Sequence, residues 1–284
     1  NPNEGSGTGL ALALSAGIQL RGMGNTPRHP LTIRDCGIHI PMDVLGSGGR
    51  IRRENGDDIG PEEALEGEPC VLDLRGMDPD AKTWFSQTSF RISDRLGLDM
   101  TRDVIPLSPG VAYTTGGAPC DNDGRVTFEE QNTGDSAKSL WHTGLYAAGR
   151  SANTGMHGDY PLPGNILLDD LVSGKAAGSH AAAWAPTNHF GGSDQIERAV
   201  QDATNRITSI REGEGMTVGN FASKLSSAIS TSSSSKEAAL AEINNIKDSG
   251  IRLTDNSKVM NTEMVEALRL HGLASVAESI VTSG

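Results

Sequence analysis

Between Gly144 and Gly178 the sequence reads GLYAAGRSANTGMHGDYPLPGNILLDDLVSGKAAG. An apolar, strand-like start gives way to a loop dense in Gly, Pro and Asn, and then to a run that closes on small residues. This is a strand handing over to a helix through a long glycine-rich connection, which places the chain among α/β folds. A helix starting near Asn165 leaves the backbone N–H groups of Ile166, Leu167 and Leu168 without intrahelical partners, at the end where the helix dipole puts partial positive charge. Such an end suits an anion or an electron-rich ring edge. The glycines of GLYAAG let the backbone approach a ligand chain, and Gly174 and Gly178 are expected to let the helix pack closely on its sheet. Read locally, the same features also describe a strand–loop–helix junction in an ordinary α/β domain.

The rest of the chain sets the frame. LALALSAGIQL, residues 10–20, predicts a buried helix entered through a tight glycine turn. From Arg28 to about Leu107 the sequence is mixed, with a strand expected in EPCVLDLRGM, and reads as a separate lobe. VAYTTGGAPCDNDGRVTF has the Gly-Gly and Asp-Gly punctuation of small antiparallel hairpins. After about Gly191 helices dominate. KEAALAEINNIKD puts Leu240, Ile243 and Ile246 on one face, with Ser234 and Glu237 at capping-box spacing. NTEMVEALRLHGLASVAESI repeats the pattern with Val265, Leu268, Val276 and Ile280. STSSSS, residues 230–235, reads as a polar connection, and His271 as a surface or boundary residue.

With a formal net charge of -12 over 284 residues, the chain offers no general nucleic-acid surface. Cys36, Cys70 and Cys120 stand far apart without a C-x-x-C pair, so neither a zinc ribbon nor a disulfide framework is indicated, and a reducing compartment fits. No run of 18 apolar residues occurs, and NPNEGSGTG is not a signal-peptide start; it has the look of an internal segment.

Four blocks carry a family resemblance. The opening stretch resembles the C-terminal flavin-binding segment of the succinate dehydrogenase/fumarate reductase flavoproteins, whose usual form is GLYAAGE followed by HGANRLGGNSLL. GSGTGLALALSAG is similar to that family's TGDGIAMALRAG, SPGVAYTTGGAPCDNDGRV resembles RPTAHYTMGGIHTDIDGR, and MTVGNFASKL with NTEMVEALRLHGLASVAESI resembles its C-terminal helical region. The blocks fall in the family's order. The glycine-rich Rossmann-type unit that opens family members has no counterpart here, nor has the arginine-rich C-terminal segment, so the chain resembles the middle and later part of a longer flavoprotein.

The resemblance implies an α/β flavin-binding part with an inserted α+β capping lobe and a C-terminal helical domain. In boundaries, residues 1–28 and 108–190 are expected in the FAD-binding domain, 29–107 in the capping lobe and 191–284 in the helical domain. FAD is the implied cofactor, and a reduced flavin, negative at its N1/O2 edge, is an occupant for the helix end described above. Flavin-lining positions of the family match Ser6, Gly7, Thr8 and Gly9, then Thr115, Gly116 and Gly117, then Gly149 and Arg150, and finally Gly164, Asn165, Ile166, Leu167 and Leu168. Thr8 stands where the family has Asp, and Arg150 where it usually has Glu. An Arg only donates, so it would meet a phosphate or carboxylate rather than cofactor hydroxyls.

Substrate positions depart further. In the family a dicarboxylate is held by His, Thr and Arg side chains while a separate Arg moves the proton, since two carboxylates demand converging cationic donors. RHPLT resembles HPTG, which matches His29 to the substrate histidine. Pro41 and Met42 replace a Thr-Glu pair, Ala112 replaces a His, and Pro161 replaces an Arg. Arg52 and Arg53 read either as a solvated charged turn or as stand-ins near the proton-transfer position, and His39 as either structural or catalytic. His157 matches a histidine that supports the loop. His29, His39 and Arg52 are therefore the candidate catalytic residues of an FAD-dependent oxidoreductase acting on a dicarboxylate or related molecule. The alternatives are a non-catalytic structural relative and a flavoenzyme for a less charged substrate. Family membership further implies an iron-sulfur partner, the missing N-terminal flavoprotein portion, and a cytoplasmic or mitochondrial-matrix setting, peripheral to a membrane.

Overall fold

The computed structural model describes residues 7–34, 36–128, 140–158, 161–162, 164–189, 191–231 and 235–283. In chain order its helices are α1 Thr8–Ser15, α2 Asp43–Gly46, α3 Pro61–Leu65, α4 Pro79–Trp84, α5 Ser86–Leu96, α6 Asn165–Trp184, α7 Ser193–Arg211, α8 Val218–Thr231, α9 Lys236–Ser249 and α10 Thr262–Ser283. The strands are β1 Arg28–His29, β2 Arg50–Arg53, β3 Asp58–Ile59, β4 Cys70–Asp73, β5 Val104–Leu107, β6 Gly110–Val111, β7 Ala118–Pro119, β8 Arg125–Thr127, β9 Trp141–Tyr146, β10 Ala152–Asn153, β11 Met216–Thr217 and β12 Ile251–Arg252. No described helix is long and apolar enough to cross a membrane. The described residues divide into two compact units, one within Thr26–Thr114 and the other made of residues 7–25 with those from Thr115 onward.

The first unit is built on an antiparallel sheet in the order β3-β2-β4-β5. β4 is the strand expected in EPCVLDLRGM. Its Leu72 and Cys70 are fully buried with Ile51, Ile105 and Leu107, and Ile92 of α5 closes over the same core. A short β1–β6 ladder pairs His29 with Gly110.

In the second unit, α1 packs on α10. Leu10, Ile18, Leu20 and Val276 form one small core with Leu273 and Ile280 beside it. Phe221, Leu225, Ile243, Ile246, Ala267 and Leu270 form the core of the helical region. β7 and β10 run parallel, while β8 and β9 pair antiparallel.

Several local expectations change. The helix expected over residues 10–20 ends at Ser15; within Thr8–Ser15 only Leu10 is buried and Leu12 is 61% exposed, while Ile18 and Leu20 are buried beyond its end. Gly116 and Gly117 are not a hairpin turn. They are where backbones touch: a Cβ on Gly116 would lie 2.6 Å from Met23 N, and one on Gly117 2.7 Å from the Ala152 carbonyl carbon. The Asp-Gly turn does form, with Gly124 N–H donating to Asp121 O at 3.0 Å and Gly124 in the left-handed region at φ 72°. Gly174 and Gly178 have no neighbour within 4 Å of a Cβ position, so they do not serve close packing among the described residues; Ala177 does, beneath Gly124. On α10 Met264, Ala267, Leu270, Ala274, Ala277 and Val281, spaced three and four apart, are buried, and so is the expected Val276, whereas Val265 is 66% exposed because it sits about 100° round the helix from Met264 on the side away from that stripe. The cap of α9 is Ser235, which accepts from Ala238 N–H; Ser234 lies outside the described residues. Ser230 and Thr231 of the expected connection belong to α8.

Candidate cofactor and substrate sites

In the second unit, β9 runs into a short turn at Gly149–Ser151, then β10, and after the intervening loop α6 begins. Gly164 caps α6 from the left-handed region, φ 82°, with no side-chain cap, and has open space where a Cβ would stand. Asn165 N–H is taken by Leu162 O at 3.0 Å, and Leu168 N–H falls to Gly164 O by helix geometry. Among the described residues, the N–H groups left without an acceptor are those of Ile166 and Leu167, two of the three expected. Over a 20-residue helix the dipole adds to them. This donor set suits the electron-rich edge of a flavin.

The other positions expected at the cofactor are held by contacts within the chain. Gly7 starts α1 at φ 66°, with a Cβ position 2.6 Å from Leu273 Cδ2, and Gly9 faces Ser151 Oγ at 2.5 Å from its Cβ position. Thr8 is exposed, and Ser6 lies outside the described residues. Thr115 is spent internally: its hydroxyl takes Asn25 Nδ2 at 2.8 Å and its carbonyl takes Asn153 Nδ2 at 3.2 Å. Gly149 N–H donates to Ser173 Oγ at 2.9 Å, and Arg150 beside it is exposed. The organising pair was not legible in the sequence. Arg21 donates through Nη2 to Asn153 O at 2.6 Å and through Nε to Asn153 Oδ1 at 3.2 Å, tying the segment after α1 to β10. No spacing links two polar residues 132 positions apart. His157 Nε2 lies 3.6 Å from Asp169 Oδ2 in the second turn of α6, beyond hydrogen-bond distance.

In the first unit, His29 and His39 come together with ring centroids 5.1 Å apart. Burial, and then repulsion from His39, lowers the pKa of His29 from its ordinary 6.5 to about 4, and burial lowers that of His39 as well. Leu31 N–H donates to His29 Nδ1 at 3.2 Å, so in the neutral ring the proton sits on Nε2. Arg52 is not brought to them as a free cation. It lies on β2, bonded through Nε to Asp58 at 2.9 Å and through Nη1 to buried Asp73 at 3.0 Å. Arg53 is held by Glu68 and Glu63. Pro41 and Met42 are exposed, and Ala112 is half-buried.

The chain is similar in sequence and in fold to known proteins. The FAD binding domain family matches residues 1–167, and the fumarate reductase flavoprotein C-terminal family matches residues 226–284. An L-aspartate oxidase of Mycobacterium leprae (strain TN) is 30% identical over 215 residues, covering 64% of this chain and 38% of that protein. The fumarate reductase flavoprotein subunit of Haemophilus influenzae is 24% identical over 339 residues, covering all of this chain and 54% of its own length. Among solved structures, E. coli quinol fumarate reductase FrdA, determined as a point variant, superposes with a TM-score of 0.81 at 20% identity, over 98% of this chain and 53% of that one. Mycobacterium smegmatis Sdh1 in complex with UQ1 gives 0.73 at 23% identity, over 98% and 50%. The chain thus spans about two-fifths to one-half of the length of these relatives. Its two family matches, in sequence order, place it in the FAD-binding succinate dehydrogenase/fumarate reductase flavoprotein family.

Proposed function

We propose that this chain supplies part of the FAD fold, the capping lobe and the helical region of an FAD-dependent oxidoreductase that passes hydride between a carboxylate substrate and flavin. The observation that carries the reading is the start of α6 behind Gly164, which no side chain caps, in a chain whose residues 1–167 match an FAD binding domain. Bound FAD supplies the hydride chemistry. Ile166 and Leu167 N–H hold the electron-rich ring edge, and His29 offers a neutral Nε2–H to a substrate oxygen. The domain boundaries follow the family layout, with residues 29–107 as capping lobe.

Partners follow from what the chain leaves bare. α6 exposes Leu167, Leu168, Leu171 and Val172 at 57–68%, next to Gly174 and Gly178 with nothing over them. A stripe of that kind is an interface. Its occupant in this reading is the remaining flavoprotein portion, with its dinucleotide-gripping unit, and the assembled flavoprotein hands electrons to an iron-sulfur subunit at a membrane-peripheral position.

The substrate is a dicarboxylate or its amino derivative, the latter by analogy with the L-aspartate oxidase relatives. Arg52 is occupied by two aspartates and Pro161, Ala112 and Met42 supply no cation, which favours slow turnover of doubly charged substrates or preference for a less charged one. The test is a visible absorption spectrum of the native assembly containing this chain. Flavin bands that bleach on adding substrate support the reading, and the absence of flavin overturns it.

A further inference from the structure

Thr32 is only 4% exposed, yet its hydroxyl joins three segments. It donates to His29 O at 2.8 Å, accepts from Gly110 N–H at 3.2 Å, and lies 2.9 Å from His39 Nδ1. A hydroxyl has one proton and two lone pairs. With the proton on His29 O and one lone pair on Gly110, His39 meets the second lone pair and holds its own proton on Nδ1. The backbone enforces this arrangement. Thr32 bridges His39 across an antiparallel pairing, Ile40 N–H donates to Leu31 O at 2.9 Å, and the Gly110 Cβ position would fall 2.7 Å from Thr32 Cγ2.

We infer that His39, locked by Thr32, is a positioning residue for His29: it fixes the plane of that imidazole and leaves Nε2–H as the group offered to a ligand carboxylate. His39 does not itself act on substrate. Two contacts define His29, the Leu31 N–H on Nδ1 and the His39 ring 5.1 Å away, and between them they select both tautomer and orientation. Charged groups on the neighbouring segments are otherwise engaged: Arg28 donates to Pro109 O and Arg34 to Leu107 O. His39 repels a proton on His29 in the same sense as burial does. The role of His29 toward substrate rests on the flavoprotein reading, whereas the arrangement of the three side chains does not.

Nitrogen-15 NMR of histidine-labelled full chain reads the tautomer and titration of each ring without flavin. In the parent protein His29 is expected as a single neutral tautomer protonated on Nε2, titrating near 4. In His39→Leu and Thr32→Val the His29 titration should move up toward the ordinary 6.5 and the second tautomer should appear. Thr32→Ser, which keeps the hydroxyl, should restore the parent signature. A His29 signature unchanged in folded His39→Leu and Thr32→Val overturns the inference. Should His39→Leu fail to fold, the Thr32 pair decides: serine like the parent and valine unlike it supports the inference, and the two alike overturns it. Absence of flavin from the native assembly would instead overturn the flavoprotein reading and leave these spectra untouched.

Discussion

Arg125 and Asp121 face each other across the Asp-Gly turn at 2.7 Å, with side chains 13% and 1% exposed. Asp121 also accepts the N–H groups of Asp123 and Arg125, and the guanidinium lies 5.5 Å from the centre of the Trp141 ring. Removing one partner of a buried pair strands the other charge, which typically costs about 3–5 kcal/mol. Asp121→Ala should lose that much in urea unfolding. A loss below roughly 1 kcal/mol, the range of exposed pairs, would mean that water reaches the site.

His29 sets a pH dependence. Burial and His39 hold it near 4 in the folded chain, whereas the unfolded imidazole titrates at its ordinary 6.5. Between those values the unfolded state binds more protons, so this group's contribution falls as pH drops from 6.5 toward 4 and levels off below. His29→Gln should flatten that part of the stability profile. Identical slopes for parent and variant between pH 6.5 and 4 would show that His29 is not the group responsible.

The flavin-edge assignment separates two leucines on one helix. Leu167 N–H has no intrahelical acceptor and lies in the first turn, where proline is best tolerated, so Leu167→Pro removes a donor at small cost to α6. It should reduce flavin retention by the assembled protein more than Leu171→Ala does. Equal flavin content in the two folded variants would place the ring elsewhere.

Chemistry should follow the missing cations. Losing one charged partner from a desolvated pair costs about 3–5 kcal/mol, and at roughly 1.4 kcal/mol per tenfold that weakens dicarboxylate binding on the order of a hundredfold or more. A lost proton-transfer group lowers the rate by a further factor of about 10²–10⁴. Succinate turnover by the flavin-loaded assembly, with an artificial electron acceptor, is expected to be slow. Pro161→Arg with Ala112→His should improve dicarboxylate binding. Ordinary family-level turnover in the parent would show that other side chains supply these roles.

What the sequence disclosed was whatever local chemistry decides. The start of α6 was readable because an N-terminus after glycine is a local event, as was β4 from its run of apolar residues. On α10 Val276 is buried and Leu268 and Ile280 pack against the cores as expected, and Val265 alone was misjudged, because it and Met264 are equally apolar and only the position of the neighbouring helices decides which turns inward. Gly116 and Gly117 were misread as a turn because close backbone approach and turn formation ask for the same residue. The Arg21–Asn153 pair and the buried Thr32 hydroxyl left no trace in spacing, since their partners are fixed by tertiary pairing alone.

The α1–α10 packing has a consequence for how such a chain is made. Leu10 shares a core with Val276, so α1 finds its partner α10 only when residues far along the chain have been synthesised. At roughly 5–20 residues per second, that is a wait on the order of ten seconds to a minute, during which the residues around Thr26–Thr114 can already fold as a unit. Long-range closure of this kind slows folding, because the loop entropy is lost before the contact is gained. The ribosome-bound intermediate should therefore carry a protected first unit and a protease-sensitive α1.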